Sequence, residues 1–162
     1  MDDQSPGIGK ARNTARKLLK DAKIDKFPVL LKEVVKPIPD LYIDGKELMD
    51  GISGMQGTYK GRSFIRYNSG HSTKRNRFTV AHEIGHLLLG HTSICNRSTS
   101  LDPQEIEANE FAAELLMPLQ MLKKEIEVQG SVSALSKACW VSEEAMSKRI
   151  MKTSLYKKLS SW

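Results

Sequence analysis

Hydrophobic residues recur at two different spacings along the chain. Over residues 10–24 they follow helical intervals, which predicts an amphipathic, basic N-terminal helix. Over residues 40–70 they form short alternating pieces separated by glycines, which predicts a small antiparallel sheet. Within it, residues 57–59 and 63–67 are predicted to form a hairpin that turns at Lys60 and Gly61. The segment between these regions, "FPVLLKEVV", fits either a strand or a short helix.

Helical spacing dominates from Ser72 onward. Ser72 is a suitable N-cap and Gly90 a suitable end for a helix that runs to about Leu89. A second helix is predicted from Pro103 to about Leu116, and two short helices at 131–138 and 142–151 form a helix-turn-helix-like tail over 131–151. The order of helix, small sheet and helices predicts an α+β fold, in one domain over residues 1–162.

Composition narrows the class of protein. A hydrophobic fraction of 40% can supply an ordinary core, and no apolar run is long enough to cross a membrane. The N-terminus has no apolar segment typical of a secretory signal. Two cysteines, Cys95 and Cys139, are too few for a disulfide scaffold. The sequence therefore predicts a soluble, cytoplasmic protein with free thiols and no membrane contact.

The net charge of +6 is unevenly distributed. Residues 101–117 carry five acids and no base, whereas residues 148–158 carry five bases and no acid. A basic tail permits direct nucleic acid binding, through Lys148, Arg149 and Lys152. The same tail has apolar residues that need burying, which favours the alternative that it packs against the rest of the domain.

Three of the four histidines lie in one apolar segment, "RFTVAHEIGHLLLGH", at residues 77–91. His82 and His86 are four residues apart, so both imidazoles stand on one face of the predicted helix. Burying the carboxylate of Glu83 is costly unless a partner compensates, and a divalent cation is such a partner. The pattern His-Glu-x-x-His therefore predicts a Zn²⁺ site, with His82 and His86 as ligands and Glu83 as general base toward a metal-bound water.

A catalytic zinc usually has three protein ligands and one open position. His91 is the nearest further histidine. It misses by one residue the spacing at which a third histidine ligand follows this motif in metzincins, so we discount it as a ligand.

The helix after Pro103 offers four glutamates. In helical projection Glu105 and Asn109 fall with the core-facing residues. The remaining three fall on the opposite face, which is expected to be solvated: Glu107, Glu110 and Glu114. We assign Glu105 as the third ligand and Asn109 as a hydrogen-bond partner of a ligating histidine, with Glu107 as the reserve ligand. The alternative for Glu105 is a first-turn residue favoured by the helix dipole alone.

Two segments together resemble a known family. "NRFTVAHEIGHLLLGH" and "EIEANEFAAELLMP", preceded by "FIRYNSGHSTKR", closely resemble the ImmA/IrrE family of zinc metallo-endopeptidases. The resemblance covers residues 50–118 strongly, and the N-terminal helix and the tail more loosely. The spacing of Glu105 and Asn109 is also similar to the Glu-x-x-x-Asp arrangement of gluzincins, with Asn in place of Asp.

The resemblance implies a gluzincin-like fold, in which a small sheet packs on an active-site helix beside a second, ligand-bearing helix. The two metal-binding helices together span 72–118. It also implies a protein substrate, a helix-turn-helix repressor of the Cro/CI type. Cleaving it would relieve repression of a mobile element, prophage or stress regulon. Tyr67, His71 and His91 are unranked candidates for stabilising the oxyanion of such a reaction.

A different class of function uses the same residues. In this alternative the chain is a DNA-binding or anti-repressor regulatory protein with a structural zinc and no cleavage. A structural zinc usually has four protein ligands, and the sequence offers only three good candidates, which favours the peptidase. Cys95 lies just beyond the metal helix, and we interpret it as an inert thiol rather than a redox sensor.

Overall fold

The computed structural model describes residues 5–91 and 102–159. Within them, seven α-helices, three strands and one short 3-10 helix follow the predicted order, which confirms the α+β fold class. The elements are α1 (Ile8–Asp21), α2 (Leu31–Val34), β1 (Leu41–Lys46), β2 (Gly54–Tyr59), β3 (Arg62–Asn68), α3 (Thr73–Leu89), α4 (Pro103–Leu116), α5 (Leu119–Gln129), α6 (Val132–Cys139), α7 (Glu143–Lys152) and the 3-10 helix Leu155–Lys158.

Short polar residues and glycine set the helix ends. The Ser72 hydroxyl accepts a backbone N–H in the first turn of α3, and Ser131 and Ser142 do the same for α6 and α7. Asp102 caps α4, which has Pro103 in its first turn. Gly90 ends α3 in the left-handed conformation, with φ of 73°. These caps place the helices predicted from Ser72 onward within a residue or two of the expected positions.

The three strands form one sheet in the order β1-β3-β2. The hairpin of β2 and β3 turns at Lys60 and Gly61, which both have positive φ, so this prediction is confirmed. β1 runs parallel to β3, however, so the sheet is mixed and the prediction of a purely antiparallel sheet is wrong for this pair. Alternation of apolar residues indicates which side chains share a face, but it does not specify which strand is the neighbour.

The structure adds two helices to those predicted from the sequence. The segment that fitted either strand or helix forms the short helix α2. Helix α5 was not predicted, because Pro118 was taken as the end of a helix and not also as the start of the next one. Pro118 is the N-cap of α5, whose Leu122 and Ile126 are buried one turn apart and whose end is Gly130.

Helix α4 packs against both α1 and α3, and the sheet packs on α3. Every residue of α3 from Asn76 to Leu89 is buried or half-buried. Gly85 allows α3 and α4 to approach closely, because a Cβ atom there would lie 3.0 Å from Cδ1 of the fully buried Phe111. The histidine-bearing helix and the glutamate-bearing helix are therefore direct neighbours.

Comparing the stabilities of Gly85→Ala and Gly9→Ala should distinguish the effect of crowding between helices from the effect of helix propensity. Gly9→Ala, with nothing within 4 Å of the added Cβ, should stabilise the protein by roughly 0.5–1 kcal/mol. Gly85→Ala, in the interior of α3, has at least that propensity gain but must displace Phe111, at a cost of about 1–3 kcal/mol. Urea denaturation should therefore rank Gly85→Ala below Gly9→Ala. Equal stabilities would contradict the close packing of α3 and α4.

The face of α4 that was expected to be solvated is instead covered by α1 and α7. Glu110 accepts hydrogen bonds from Arg12 at 2.7 and 3.0 Å and also pairs with Lys152. Glu114 accepts a 2.9 Å bond from Arg16 and pairs with the buried Arg149. The prediction for these glutamates was wrong, because projection of one helix gives the angles between its residues but not what packs on each side.

The C-terminal tail packs against the rest of the protein. Its apolar residues Leu135, Val141, Met146 and Ile150 are buried. Arg149, considered above as a DNA contact, is only 3% exposed and also donates to the Met117 carbonyl oxygen. The packing alternative is thus the one that the structure supports for these residues. None of the described helices is long and apolar enough to span a membrane.

Candidate metal centre

Helix α3 places two imidazoles side by side. The Nε2 atoms of His82 and His86 lie 2.9 Å apart, as expected for residues one turn apart on the same helical face. Both side chains are largely buried, with exposed fractions of 16% and 13%. Burial lowers the pKa of His86 to about 4, and the nearby His82 contributes to this shift. The neutral imidazole that results is the form that binds a metal ion.

Helix α4 brings a carboxylate to the same point. The Oε2 atom of Glu105 lies 3.3 Å from His82 Nε2, and its Oε1 atom lies 3.3 Å from His86 Nε2. The three residues offer ligand atoms that all lie within 4.8 Å of one another. Among the described residues they are the one group of His, Cys, Asp and Glu with this geometry. Two imidazoles and one carboxylate are a donor set typical of a catalytic zinc.

Asn109 contacts His82 at the ring nitrogen that faces away from Glu105. Its Oδ1 atom lies 3.0 Å from His82 Nδ1, and in the tautomer whose Nδ1–H donates to this oxygen, Nε2 keeps its lone pair for a metal ion. Asn109 was expected to point with the core-facing residues, but it is exposed and lies at the rim of the site. Glu105 is 24% exposed, more than the glutamates assigned to the solvated face. The centre is therefore at the surface end of the interface between α3 and α4.

His91 has an arrangement that sequence analysis did not predict. Gly90 turns the chain so that the His91 backbone N–H donates to the His86 carbonyl oxygen at 3.0 Å. The His91 Nδ1 atom then lies 2.9 Å from His86 Nδ1, and its Nε2 atom lies 3.0 Å from Glu107 Oε2. The second oxygen of Glu107 accepts the backbone N–H of Gly7 at 2.7 Å. This series of bonds joins His86 to the start of α1.

The series fixes the direction of each proton if His86 uses Nε2 toward a metal. Its Nδ1–H then donates to His91 Nδ1, and His91 donates its Nε2–H to the Glu107 carboxylate. Glu107, the reserve ligand in the sequence analysis, is thus directed at His91 and not at the metal position. The one available signal in the sequence was Gly-His at a helix end, since a left-handed Gly returns the next residue toward the last turn.

Removing the His91 ring nitrogens should weaken metal binding without removing a ligand. His91→Phe leaves His86 Nδ1 and Glu107 without their partner, and we expect zinc affinity to fall about 10- to 100-fold. His91→Gln, whose amide can both accept and donate, should retain more of the affinity. Competition with a chromophoric chelator measures both. Unchanged affinity in His91→Phe would show that this bond does not position His86.

Glu83 is half-buried beside the ligand group. Burial raises its pKa to about 7, with a smaller raising effect from Glu105 and a lowering effect from His82. A Cβ atom at Gly54 on β2 would lie only 3.3 Å from Glu83 Oε1 and 2.4 Å from Thr79 Cγ2. The absence of a side chain at Gly54 therefore lets the sheet pass directly against α3 at Glu83. This requirement left no sign in the hydrophobic pattern.

The three candidates for oxyanion stabilisation occupy different places. Tyr67 is on the central strand β3: its ring lies over Gly45 of β1, and its cross-strand partner in β2 is Gly54, the glycine beside Glu83. His91 has both ring nitrogens engaged, with His86 and Glu107. His71 has a buried Nδ1 atom without a hydrogen-bond partner in the described part of the chain. His91 therefore has no free ring nitrogen to donate to a substrate, whereas Tyr67 and His71 stay unranked candidates.

Cys139 is a buried free thiol in α6, and burial raises its pKa to about 12, so it stays protonated and unreactive. Cys95 lies outside the described residues.

A comparison with family models assigns the chain to a peptidase family. The peptidase family M78, described as the IrrE N-terminal-like domain, matches residues 42–151, which include α3 and α4. The chain belongs to this family. This peptidase-family chain also resembles a solved structure, a Mycobacterium tuberculosis transcriptional regulator, with a TM-score of 0.67 and 12% identity.

That structural similarity covers 88% of this chain and 46% of the regulator, so the chain spans less than half of the regulator's length. At such low identity, the similarity shows a shared fold only. No curated protein is significantly similar to the chain.

Proposed function

We propose that the chain is a zinc-dependent endopeptidase that cleaves a helix-turn-helix repressor of the Cro/CI type at a specific site. Cleavage would relieve repression of a mobile element, prophage or stress regulon. One observation carries the peptidase proposal: the His82, His86 and Glu105 donors converge beside the half-buried Glu83, in a member of a peptidase family. The choice of a repressor as substrate rests on the resemblance to the ImmA/IrrE family.

The proposed roles follow from the positions of the side chains. His82, His86 and Glu105 would hold the zinc, with Asn109 and His91 keeping the two imidazoles in the tautomer that presents Nε2. Bound zinc would supply Lewis-acid polarisation of the scissile carbonyl group and of the attacking water. Glu83 takes a proton from that water as the oxygen attacks the carbonyl carbon. It then gives the proton to the amine nitrogen as the C–N bond breaks.

The competing function, a regulator with a structural zinc, has less support. A structural zinc usually has four protein ligands, whereas three converge among the described residues. The buried position of Arg149 also removes one of the three tail cations from a DNA-binding surface.

The proposed function is tested by incubating the purified, zinc-loaded chain with the helix-turn-helix repressor encoded beside its gene. We expect mass spectrometry to find two fragments from a single cut, and we expect chelation of the metal to prevent it. Loss of repressor binding to DNA while the repressor stays intact would favour the anti-repressor alternative. An intact, DNA-binding repressor would contradict the proposed substrate.

A further inference from the structure

A groove of about 680 Å³ lies between α3, α4 and α7. Its floor is apolar and is made by Phe78, Ala113, Met117, Val141 and Ala145. Its polar lining has five bases and two acids: Lys74, Arg75, Lys148, Arg149, Lys152, Glu110 and Glu144. An apolar floor with a surplus of positive charge differs from the ordinary mixed-charge surface of a soluble protein.

The groove lies next to the metal centre, on the Nδ1 side of the His82 ring. Asn109 lines it, and the Oδ1 atom of this residue lies 3.0 Å from His82 Nδ1. Phe78 lines it one turn before His82 on α3, and the centroids of the two rings are 6.4 Å apart. A peptide in the groove would therefore be adjacent to a peptide bond held at the metal.

The positive charge of the groove is only partly neutralised by the protein itself. Arg149 and Lys152 pair with Glu114 and Glu110, and these contacts fasten α7 to α4. Lys74 and Arg75 have no carboxylate within ion-pair distance in the described ranges, and Arg75 instead donates to the Ser53 hydroxyl at 3.0 Å.

Lys148 pairs with Glu144 one turn away on α7. Both side chains are about three-quarters exposed, at 76% and 75%. Such a pair is weak, so its lysine can exchange its partner for another carboxylate. The rim therefore offers three cations on two sides of the groove to an incoming anionic group.

We propose that this groove binds an acidic segment of the protein substrate, in which carboxylates meet the rim cations and apolar side chains contact the floor. The inference rests on the proposed function and names a feature of its substrate. It assigns substrate selection to a surface beside the metal centre, on the Asn109 side, where binding positions the peptide without taking part in the reaction. Opposite charges across such a surface mainly set specificity and the rate of encounter.

Nucleic acid fits the same surface less well. Duplex binding draws its affinity from Lys and Arg side chains that each neutralise a backbone phosphate, whereas two of the five cations here are already held by buried carboxylates. The floor is concave and apolar, which suits side chains of a peptide better than a sugar-phosphate backbone.

Peptide binding tests the proposal separately from cleavage. The full chain with Glu83→Gln is titrated with a fluorescein-labelled peptide of alternating glutamate and leucine, with the same peptide carrying lysine for glutamate, and with a labelled DNA duplex. We expect binding of the glutamate peptide only. Lys74→Glu with Lys148→Glu should weaken it by about tenfold. The matched control is Lys20→Glu with Lys123→Glu, two exposed lysines outside the groove, and it should leave the affinity unchanged.

Equal affinity for both peptides, or equal affinity of the groove and control variants, would overturn the proposal. So would tighter binding of the DNA duplex that is lost in the groove variant. Repressor cleavage separates this proposal from the function on which it rests. If the repressor is cut, the groove variant should raise KM and leave kcat unchanged; an unchanged KM would remove the groove proposal and keep the peptidase. If the glutamate peptide binds but the unaltered chain does not cut the repressor, the groove proposal is kept and the peptidase proposal is removed.

Discussion

Glu83→Gln should abolish repressor cleavage while the chain keeps its metal. The amide has nearly the same shape as the carboxylate but cannot take the proton of the attacking water, so we expect kcat to fall by at least about 10²–10⁴-fold. The ligand atoms of His82, His86 and Glu105 are unchanged in this variant, so zinc affinity should stay within a few-fold of the original. Single-turnover cleavage and zinc competition, measured on the same sample, check the two expectations together.

The matched control is Glu127→Gln, the same chemical change at an exposed glutamate that pairs with Lys158 far along the chain. It should leave both cleavage and zinc affinity unaltered. His86→Ala should instead lose both properties, since it removes a ligand. Cleavage by Glu83→Gln at the original rate would refute the role of this residue as general base, even if zinc binding follows the expected pattern.

Glu114→Gln should be the most destabilising of the variants considered. Glu114 is 1% exposed and its carboxylate is shared by Arg16, the buried Arg149 and the backbone N–H of Leu119. Removing its charge leaves the Arg149 guanidinium buried without a counter-charge, which typically costs about 3–5 kcal/mol. Urea denaturation should show this loss, and α7 should separate from α4 before the rest of the protein unfolds.

Two comparisons isolate the buried pair. Glu127→Gln removes an exposed glutamate from an ion pair and should change stability by less than about 1 kcal/mol. The double variant Glu114→Leu with Arg149→Met removes both buried charges and should recover much of the stability lost in Glu114→Gln. If the double variant is as unstable as Glu114→Gln, the loss comes from packing and not from the unpaired charge.

The convergence of His82, His86 and Glu105 could be anticipated because it depends on periodicity within two helices. His82 and His86 share a face of α3 because residues four apart on a helix always do. Glu105 falls on the opposite side of α4 from Glu110 and Glu114 for the same geometric reason. The capping residues likewise act locally, which is why the bounds of α3, α6 and α7 were close to those expected.

The rest depends on which elements become neighbours. The hydrophobic pattern could not show that β3 lies between β1 and β2, because strand order is decided by which strands pair across the sheet. It could not show that α1 and α7 cover the acidic face of α4 with arginines and lysine, since those bases lie far away in sequence. His91 acquires its partner Glu107 for the same reason.

X-ray absorption at the zinc edge tests the central claim most directly, because it reports the ligands without any assumption about the substrate. The account predicts one zinc per chain, bound by two imidazole nitrogens at about 2.0–2.1 Å and a carboxylate oxygen at about 2.0–2.2 Å, with no sulfur ligand. Glu105→Ala should remove the carboxylate contribution, and Glu107→Ala should leave it in place. Sulfur scattering near about 2.3 Å, or a spectrum that Glu105→Ala leaves unchanged, would contradict the proposed catalytic centre.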